Sequence, residues 1–461
     1  MTNANTVSNI RKSIETPSDK SEFTGENKRG SKVEDEDDVK GVDVEEGKID
    51  ERAGDTRITA PDDGEYPEGG LRAWLVVIGV SCLAAFGFVN AWVFQEYYSQ
   101  TILSNQSHSN IAWIGSVQYA LVLMPGSISG RLFDIGYFRE TMIPATCLLV
   151  LSTFLVGECK RYWQFMLCQG ISVGTSSGFL FGPTLAVTSN YFHRRRPFVF
   201  GLVAVGSSVG GTLLPIVTRN LIPKIGFPWT MRVLGFFMLL TTSTANLLIR
   251  RRLPPVNIKG GLFNFPAFKS PHFSLYYLSS TFGFFGMFTA LTYLDTAAVE
   301  VAKINGDLAF YLISIANACS GIGRLGSGAL SGRYGPINVL GFFMVLAAVM
   351  TYVWPYALSV GSLITVSVFY GVASGAFIGV VATPLTHPKF GVQGDMGRRT
   401  GMLFTLSGIG ALCGPPISGA IHDATGGYKA VGAYAGSILM MSLILMISAK
   451  WVATGTPWGK F

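Results

Sequence analysis

The sequence predicts an all-α membrane protein with twelve transmembrane helices in two pseudo-symmetric halves of six. Three observations lead to this fold class. The 461 residues are 49% hydrophobic and only 14% charged, with a mean hydropathy of +0.39, which is too apolar for a soluble chain of this length. Apolar runs of spanning length follow one another from Ala73 onward. A glycine-rich apolar stretch also occurs twice, at a constant offset of 200 residues.

The repeated stretch reads GLVAVGSSVGGTLLP from Gly201 and GMLFTLSGIGALCGP from Gly401. The same offset aligns three further pairs of identical residues: Ser207 with Ser407, Gly210 with Gly410 and Pro215 with Pro415. A repeat of this length indicates two halves built alike. Glycines in apolar helices let neighbouring backbones approach closely within lipid. Two parallel halves of membrane helices are typical of many secondary transporters.

The first 70 residues are predicted to form a disordered acidic cytoplasmic tail. Residues 1–68 contain 10 Lys and Arg against 19 Asp and Glu, a net charge of −9 that includes the acidic run 34–38. Such a segment buries too little apolar surface to offset the entropy lost on ordering. The rest of the chain carries a net charge of +16. Because this excess lies in short loops between apolar runs, it argues against a nucleic-acid-binding surface.

Residues 71–250 are predicted to form the N-terminal six-helix bundle and residues 273–452 the C-terminal one, since about 20 apolar residues cross the hydrocarbon core. A basic cytoplasmic linker, 251–272, joins the bundles, and residues 453–461 form a short cytoplasmic tail. The twelve spans are placed at 73–97, 111–132, 141–157, 163–189, 198–218, 227–249, 273–298, 308–330, 336–356, 361–385, 400–421 and 430–452.

Loop charges and one sequon predict the orientation. With the acidic tail inside, the inner loops hold sixteen Lys and Arg residues and the outer loops hold six. The positive-inside rule therefore places both termini in the cytoplasm. The sequon Asn105-Gln106-Ser107 then falls in the first outer loop, which makes Asn105 the predicted glycosylation site. We expect a multi-pass protein of the plasma membrane, with the vacuolar membrane as the alternative.

Two sequence motifs resemble those of a known family. The loop after span two, residues 130–139 (GRLFDIGYFR), is similar to the loop signature of the major facilitator superfamily. Residues 68–74 (EGGLRAW) resemble the acid-Gly-Gly signature of its fungal monocarboxylate transporter-like family. The resemblance covers roughly residues 66–452. It implies an alternating-access carrier for small organic anions, often proton-coupled, but it does not specify the substrate.

The chain departs from that family at two charged positions. Members that carry lactate-like acids place a lysine in span one, where this chain has none. They also place an aspartate one turn before an arginine in span eight, but Ser320 precedes Arg324 here. These departures argue against simple proton–monocarboxylate symport.

Arg324 is the first candidate for contact with an anionic substrate. It lies within span eight, and an intramembrane charge usually faces a cavity or a partner. Asn317 and Ser320 recur with it at helical spacing in a polar stripe, while snorkelling toward the cytoplasm is the alternative. The remaining predicted substrate contacts lie in the spans that line the cavity of the superfamily: Asn90, Gln169, Phe288 and Tyr370. For the polar members, hydrogen bonding between helices is the competing interpretation.

Three other residues are assigned to energy coupling and conformational change. Asp295, near the outer end of span seven, is a candidate for carrying a coupling proton, and a solvated helix end is the alternative. Asp134, flanked by Arg131 in the loop signature, is predicted to bias the conformational states. A carboxylate there can cap a facing helix or pair with arginine.

Catalysis is not expected, because no nucleophile–base pair, zinc spacing or phosphate loop is present, and no cysteines form a CxxC pair. We predict no cofactor and no metal. The expected partners are a small, anionic substrate, the lipid bilayer and possible coupling protons, with one chain as the transport unit. Two transport hypotheses stay open, namely uptake of an organic acid and export of a secondary metabolite from a biosynthetic cluster. A non-transporting nutrient sensor is the third, which the short tail disfavours.

Overall fold

A computed structural model describes residues 68–87, 94, 97–192, 195–252, 261–304, 306–387, 390, 396–457 and 459. All of them belong to one compact unit, Thr59–Phe461. These residues are almost entirely helical, and none of those described lies in a β-strand. Residues 1–67, which hold nearly all of the predicted acidic tail, lie outside the described residues.

The described residues form thirteen α-helices joined by short connections. They are α1 (Leu71–Gly87), α2 (His108–Leu123), α3 (Gly126–Ile135), α4 (Phe138–Val156), α5 (Tyr162–Phe165), α6 (Gly174–Ser189), α7 (Arg196–Leu248), α8 (Pro271–Glu300), α9 (Gly306–Tyr334), α10 (Pro336–Val353), α11 (Val360–Val380), α12 (Met396–Thr425) and α13 (Tyr428–Thr454). Short π- and 3-10 turns supplement them at Tyr98–Ile102, Met166–Val173, Phe265–Lys269, Trp354–Tyr356 and Thr383–Thr386.

Each of the twelve predicted spans coincides with helix in the described part of the chain. Span two is divided between α2 and α3, and span four consists of α5, the π-helical turn Met166–Val173 and α6. Spans five and six both lie in the 53-residue α7, which is interrupted at Gly226. The φ of Gly226 is +78°, a left-handed backbone conformation that glycine adopts without steric cost. Gly226 therefore separates the two spans.

Length, composition and exposure are those of a membrane protein. Within the described residues, eight helical segments are long and apolar enough to cross a bilayer, and one of them, Phe198–Leu248, has 51 residues and supplies two spans. α1 contributes a shorter apolar stretch, Leu71–Ala84. Bulky apolar side chains are more than half exposed at related places in both halves: Leu151, Leu240, Phe342 and Ile444. They lie on spans three, six, nine and twelve, where they provide an apolar exterior for lipid contact.

The acid-Gly-Gly stretch at 68–74 fastens the start of α1 to the connection before α7. The Glu68 carboxylate accepts a hydrogen bond of 3.2 Å from the backbone N–H of Arg195. The Trp74 ring packs edge-on against Phe192, with centroids 5.5 Å apart. Tyr191 in turn donates a hydrogen bond of 3.0 Å to the carbonyl of Arg250, at the end of α7. Together these contacts join the start of α1, the connection before α7 and the end of α7, on the side of the bundle that carries the linker.

The two glycine-rich stretches pack across the boundary between the halves, at equivalent positions. A methyl group placed on Gly201 of α7 would lie 2.9 Å from the carbonyl oxygen of Arg324 in α9. One placed on Gly401 of α12 would lie 2.8 Å from the carbonyl oxygen of Gly126 in α3. We call residues 201–212 of α7 with 314–324 of α9 the first seam. The second seam consists of 401–408 of α12 with 120–127 of α2 and α3.

Both seams combine close backbone approach with hydrogen bonds. In the first, Gly211 faces the Asn317 side chain, because a methyl group on that glycine would meet Asn317 Cγ at 2.9 Å. In the second, the hydroxyls of Ser127 and Thr405 lie 2.8 Å apart, and Thr405 donates a bond of 2.8 Å to the carbonyl of Met124. The halves are therefore packed tightly in the linker-side half of the bundle.

Candidate functional site

Arg324 lies in the first seam, on the polar face of α9, with only 8% of its surface exposed. Its Nη1 donates to the carbonyl of Ala204 at 2.5 Å and to the hydroxyl of Ser207. Both acceptors belong to one turn of α7 in the opposite half of the protein. The Nε atom is buried and has no hydrogen-bond partner among the residues that the structure describes. The guanidinium is therefore held at one end, while a buried donor stays unsatisfied.

The charge of Arg324 is not neutralised by a carboxylate in the described part of the chain, where it forms no ion pair and where both of its hydrogen-bond acceptors are neutral oxygens. Placing an unpaired charge in a low-dielectric interior costs several kcal/mol. Snorkelling would relieve that cost by exposing the head group, but this side chain is buried against α7. The geometry favours a site that binds an anion.

An aromatic pair, Tyr119 and Phe288, joins the two halves. The rings of Tyr119 in α2 and Phe288 in α8 have centroids 4.3 Å apart, and Tyr119 also interacts electrostatically with Arg324. The site thus draws on spans two, five, seven and eight, from both halves. Sequence reasoning named Phe288 and Arg324 but missed Tyr119. The available signal was a phenol in the middle of a predicted span, directly after Gln118, where a buried hydroxyl needs a partner.

The polar stripe that sequence analysis placed on span eight follows the first seam. Asn317 faces Gly211, and the Ser314 carbonyl accepts a bond of 3.5 Å from Thr212. The hydroxyls of Ser314 and of Ser208, on the facing side of α7, are buried without hydrogen-bond partners among the described residues. Ser320 instead contacts α11, since a methyl group on Gly375 would meet its carbonyl oxygen at 2.1 Å.

Two predicted substrate contacts are hydrogen-bonded within their own halves. Gln169, in the π-helical turn of span four, accepts a bond of 2.6 Å from the Tyr98 hydroxyl. Tyr370 in α11 donates to the carbonyl of Met287 in α8. These contacts are of the helix–helix type that was the competing interpretation, so substrate contact by either residue stays a prediction. Asn90 lies outside the described residues.

Asp295 lies in the last two turns of α8. Its carboxylate accepts bonds from the backbone N–H of Thr296 at 2.7 Å and from the Thr296 hydroxyl at 3.2 Å. Nearby, Glu300 accepts a bond of 2.9 Å from the Tyr428 hydroxyl and lies 3.7 Å from His422. Asp295 therefore belongs to a titratable region at the end of the bundle remote from the linker, and its coupling role stays a prediction.

Asp134 lies near the end of α3, close to the start of the linker. Arg251 donates to the carbonyl of Phe133, and its guanidinium lies 4.6 Å from the centre of the Phe133 ring. Burial lowers the pKa of Arg251, and the charge of Asp134 opposes this shift. Arg251, at the start of the linker, therefore interacts electrostatically with Asp134. A gating role for Asp134 and Arg131 stays a prediction.

No group of three or more His, Cys, Asp or Glu side chains suited to holding a metal ion occurs among the described residues. Arg324 is instead suited to an organic ligand with an acidic group. Arginine presents several donors in a fixed plane, which matches the geometry of a carboxylate.

Asn105 is exposed in the turn that connects span one to α2. If this connection faces the outside or a lumen, a glycan is expected on Asn105, and Asn105→Gln should remove the corresponding mass shift on a gel after glycosidase treatment. A sequon engineered at Asn257, in the linker, should stay unmodified. Glycan on the Asn257 sequon would reverse the predicted orientation.

Residues 77–392 match the sequence profile described as Major Facilitator Superfamily. The chain is 36% identical over 402 residues to the aspyridones efflux protein of Emericella nidulans, covering 86% of this chain and 81% of that protein. It is 32% identical over 420 residues to the fujikurins efflux protein of Gibberella fujikuroi, covering 89% and 88%.

A solved structure shares the fold. The crystal structure of the human organic anion transporter MFSD10 superposes with a TM-score of 0.63, covering 82% of this chain and 100% of that one. The sequence identity is only 14%, so this similarity shows the architecture alone. It agrees with the twelve-span arrangement in two halves.

Proposed function

Since the chain belongs to the Major Facilitator Superfamily and is a multi-pass transporter, we propose that it exports a negatively charged secondary metabolite. The fungal relatives named above are efflux proteins for aspyridones and for fujikurins. Similarity to both, along most of each chain, supports export over uptake of an organic acid. We do not assign either compound to this chain, because a sequence identity of about one third does not determine the substrate.

The observation that carries the anionic substrate is Arg324. Its guanidinium is buried at the boundary between the halves, where the described residues provide neutral oxygens and no carboxylate. A substrate with a carboxylate or an enolate would supply the missing charge, and charge-assisted hydrogen bonds are about twice as strong as neutral ones. A buried site also increases the strength of that attraction.

The aromatic pair further limits the chemical class of the proposed substrate. Tyr119, which interacts electrostatically with Arg324, and Phe288 offer apolar ring surface at the boundary between the halves, and rings favour offset or edge-on contact with other rings. We therefore propose a conjugated, planar acid as the substrate. A single chain contains all these groups, which supports a monomeric transport unit.

The proposal also includes the membrane in which the protein lies, its orientation and its source of energy. The excess of basic residues on the linker side supports cytoplasmic termini, and export from the cell then requires the plasma membrane. Proton exchange is the proposed energy source, with Asp295 as the proton site. Its position at the opposite end of the bundle would expose it to the external medium.

Dye efflux from yeast tests the proposed function. Cells that express the chain are loaded with fluorescein diacetate, whose hydrolysis inside the cell releases fluorescein, an aromatic carboxylate with a planar, conjugated xanthene ring system. We expect fluorescein to leave several times faster than from cells with an empty vector. Rhodamine 6G, an aromatic cation, should leave at the vector rate.

The two dyes test recognition of negative charge and export of conjugated acids separately. Equal acceleration of both dyes would contradict recognition of negative charge. Fluorescein efflux at the vector rate, with the protein present in the plasma membrane, would contradict export of conjugated acids.

A further inference from the structure

The Ser207 hydroxyl is oriented by its own helix to accept from Arg324. It donates a hydrogen bond of 2.9 Å to the carbonyl of Ala204, which leaves its oxygen lone pairs to the guanidinium Nη1. The same Ala204 carbonyl accepts from Nη1 directly. One turn of α7 therefore holds one end of the guanidinium with two oxygens.

This contact crosses the boundary between the halves, so it depends on how the halves are packed. Ser207 belongs to the first half and Arg324 to the second. When the linker-side ends of the halves separate, as alternating access requires, Arg324 must lose both oxygens of α7. The guanidinium then has fewer partners in the open state than in the closed state described here.

We propose that Ser207 is a positioning residue that competes with the substrate for Arg324 and so lowers substrate affinity when the first seam closes. The proposal rests on the anionic substrate argued above. In the open state the anion binds an arginine that lacks other partners. On closure, Ser207 and Ala204 return to Nη1, and the anion is released on the opposite side.

Such competition obeys thermodynamic reciprocity. If closure of the seam weakens anion binding by some factor, anion binding disfavours closure by the same factor. A ligand shifts a conformational equilibrium only through its different affinity for the two states. The Ser207 contact supplies that difference at the atom that binds the anion.

The second seam provides a matched control. Ser407 is the repeat equivalent of Ser207 at the offset of 200 residues, and it is fully buried. Its hydroxyl has no hydrogen-bond partner within the described residues. The backbone carbonyl that faces the repeat glycine belongs to Arg324 in the first seam but to Gly126 in the second. Only the first seam thus presents a cation to its serine.

The test measures fluorescein binding to the purified full-length protein by fluorescence polarisation, together with efflux from yeast. Ser207→Ala removes one of two acceptors, and a hydrogen bond to a charged group is stronger than one between neutral groups. Because the Ala204 carbonyl remains, we expect the Kd for fluorescein to fall by only roughly threefold to tenfold. The maximal efflux rate should fall as well, since the bound anion is no longer displaced on closure.

Two further variants guard against a general effect on folding. Ser207→Thr keeps a hydroxyl and should restore the Kd and the efflux rate toward the wild-type values. Ser407→Ala should leave both unchanged. A Ser207→Ala variant that behaves like Ser407→Ala, or that binds fluorescein more weakly, would overturn the competition. If the wild-type chain neither binds nor exports fluorescein, it is the proposed function that fails.

Discussion

Arg324→Ala is expected to abolish the efflux of fluorescein, with a loss of roughly a hundredfold or more. Removing one partner of a buried charge pair costs about 2–5 kcal/mol, and the described first seam contains no second cation that could replace this guanidinium. Insertion and folding should be preserved, because Arg324 has neutral partners and its removal relieves the desolvation of a charge. Efflux from yeast, normalised to the amount of protein in the membrane, is the measurement.

Two further substitutions show whether a loss of efflux in Arg324→Ala is specific to the guanidinium at this position. Arg324→Lys should recover part of the efflux, since lysine keeps the charge but lacks the planar set of donors. Arg333→Ala is the control, because Arg333 is an exposed arginine in the last turn of the same helix. If Arg324→Ala reaches the membrane and still exports fluorescein at the wild-type rate, Arg324 is structural and does not supply the countercharge for the anion.

The fold was predictable because the length and the composition of an apolar segment are enough to identify a membrane-spanning helix. A run of about 20 apolar residues must be a helix, since the backbone has no other way to satisfy its hydrogen bonds in lipid. The π-helical turn Met166–Val173 was not predictable. It changes the hydrogen-bond register without a proline or a run of glycines to indicate it.

The repeat predicted more than the count of spans. Gly201 and Gly401 were aligned by sequence alone, and each lies within 3 Å, measured from an added methyl group, of a carbonyl oxygen across a seam. Sequence did not reveal which helices they would contact. Pairing between distant spans is a tertiary property, and a small residue on one helix is compatible with many neighbours.

The site was predictable only where a residue type is rare in lipid. Arg324 stood out because a charge within a span is expensive. Sequence alone did not show whether Gln169 and Tyr370 bind a substrate or a neighbouring helix. A hydroxyl or an amide forms hydrogen bonds with a ligand and with a helix equally well. Tyr119 was missed because its importance comes from Arg324 and Phe288, which lie in other spans.

Gly401→Ala is expected to reduce the maximal efflux rate of fluorescein at least tenfold by keeping the second seam apart. The added methyl group would lie 2.8 Å from both the carbonyl oxygen of Gly126 and the Cα of Ser127. Both are backbone atoms, so no side-chain rotation can relieve the contact. Overpacking of this kind costs about 1–3 kcal/mol, and here it acts only when the halves are closed.

The matched control is Gly326→Ala in α9, where an added methyl group meets no heavy atom within 4 Å. Alanine is the better helix former by about 1 kcal/mol, so this variant should unfold at the wild-type temperature or above it and export normally. Gly401→Ala should still bind fluorescein, because the open state keeps Arg324 available. Loss of efflux with binding retained therefore indicates a block in closure, since a misfolded protein would lose both. Normal efflux by Gly401→Ala would mean that the second seam does not close during transport.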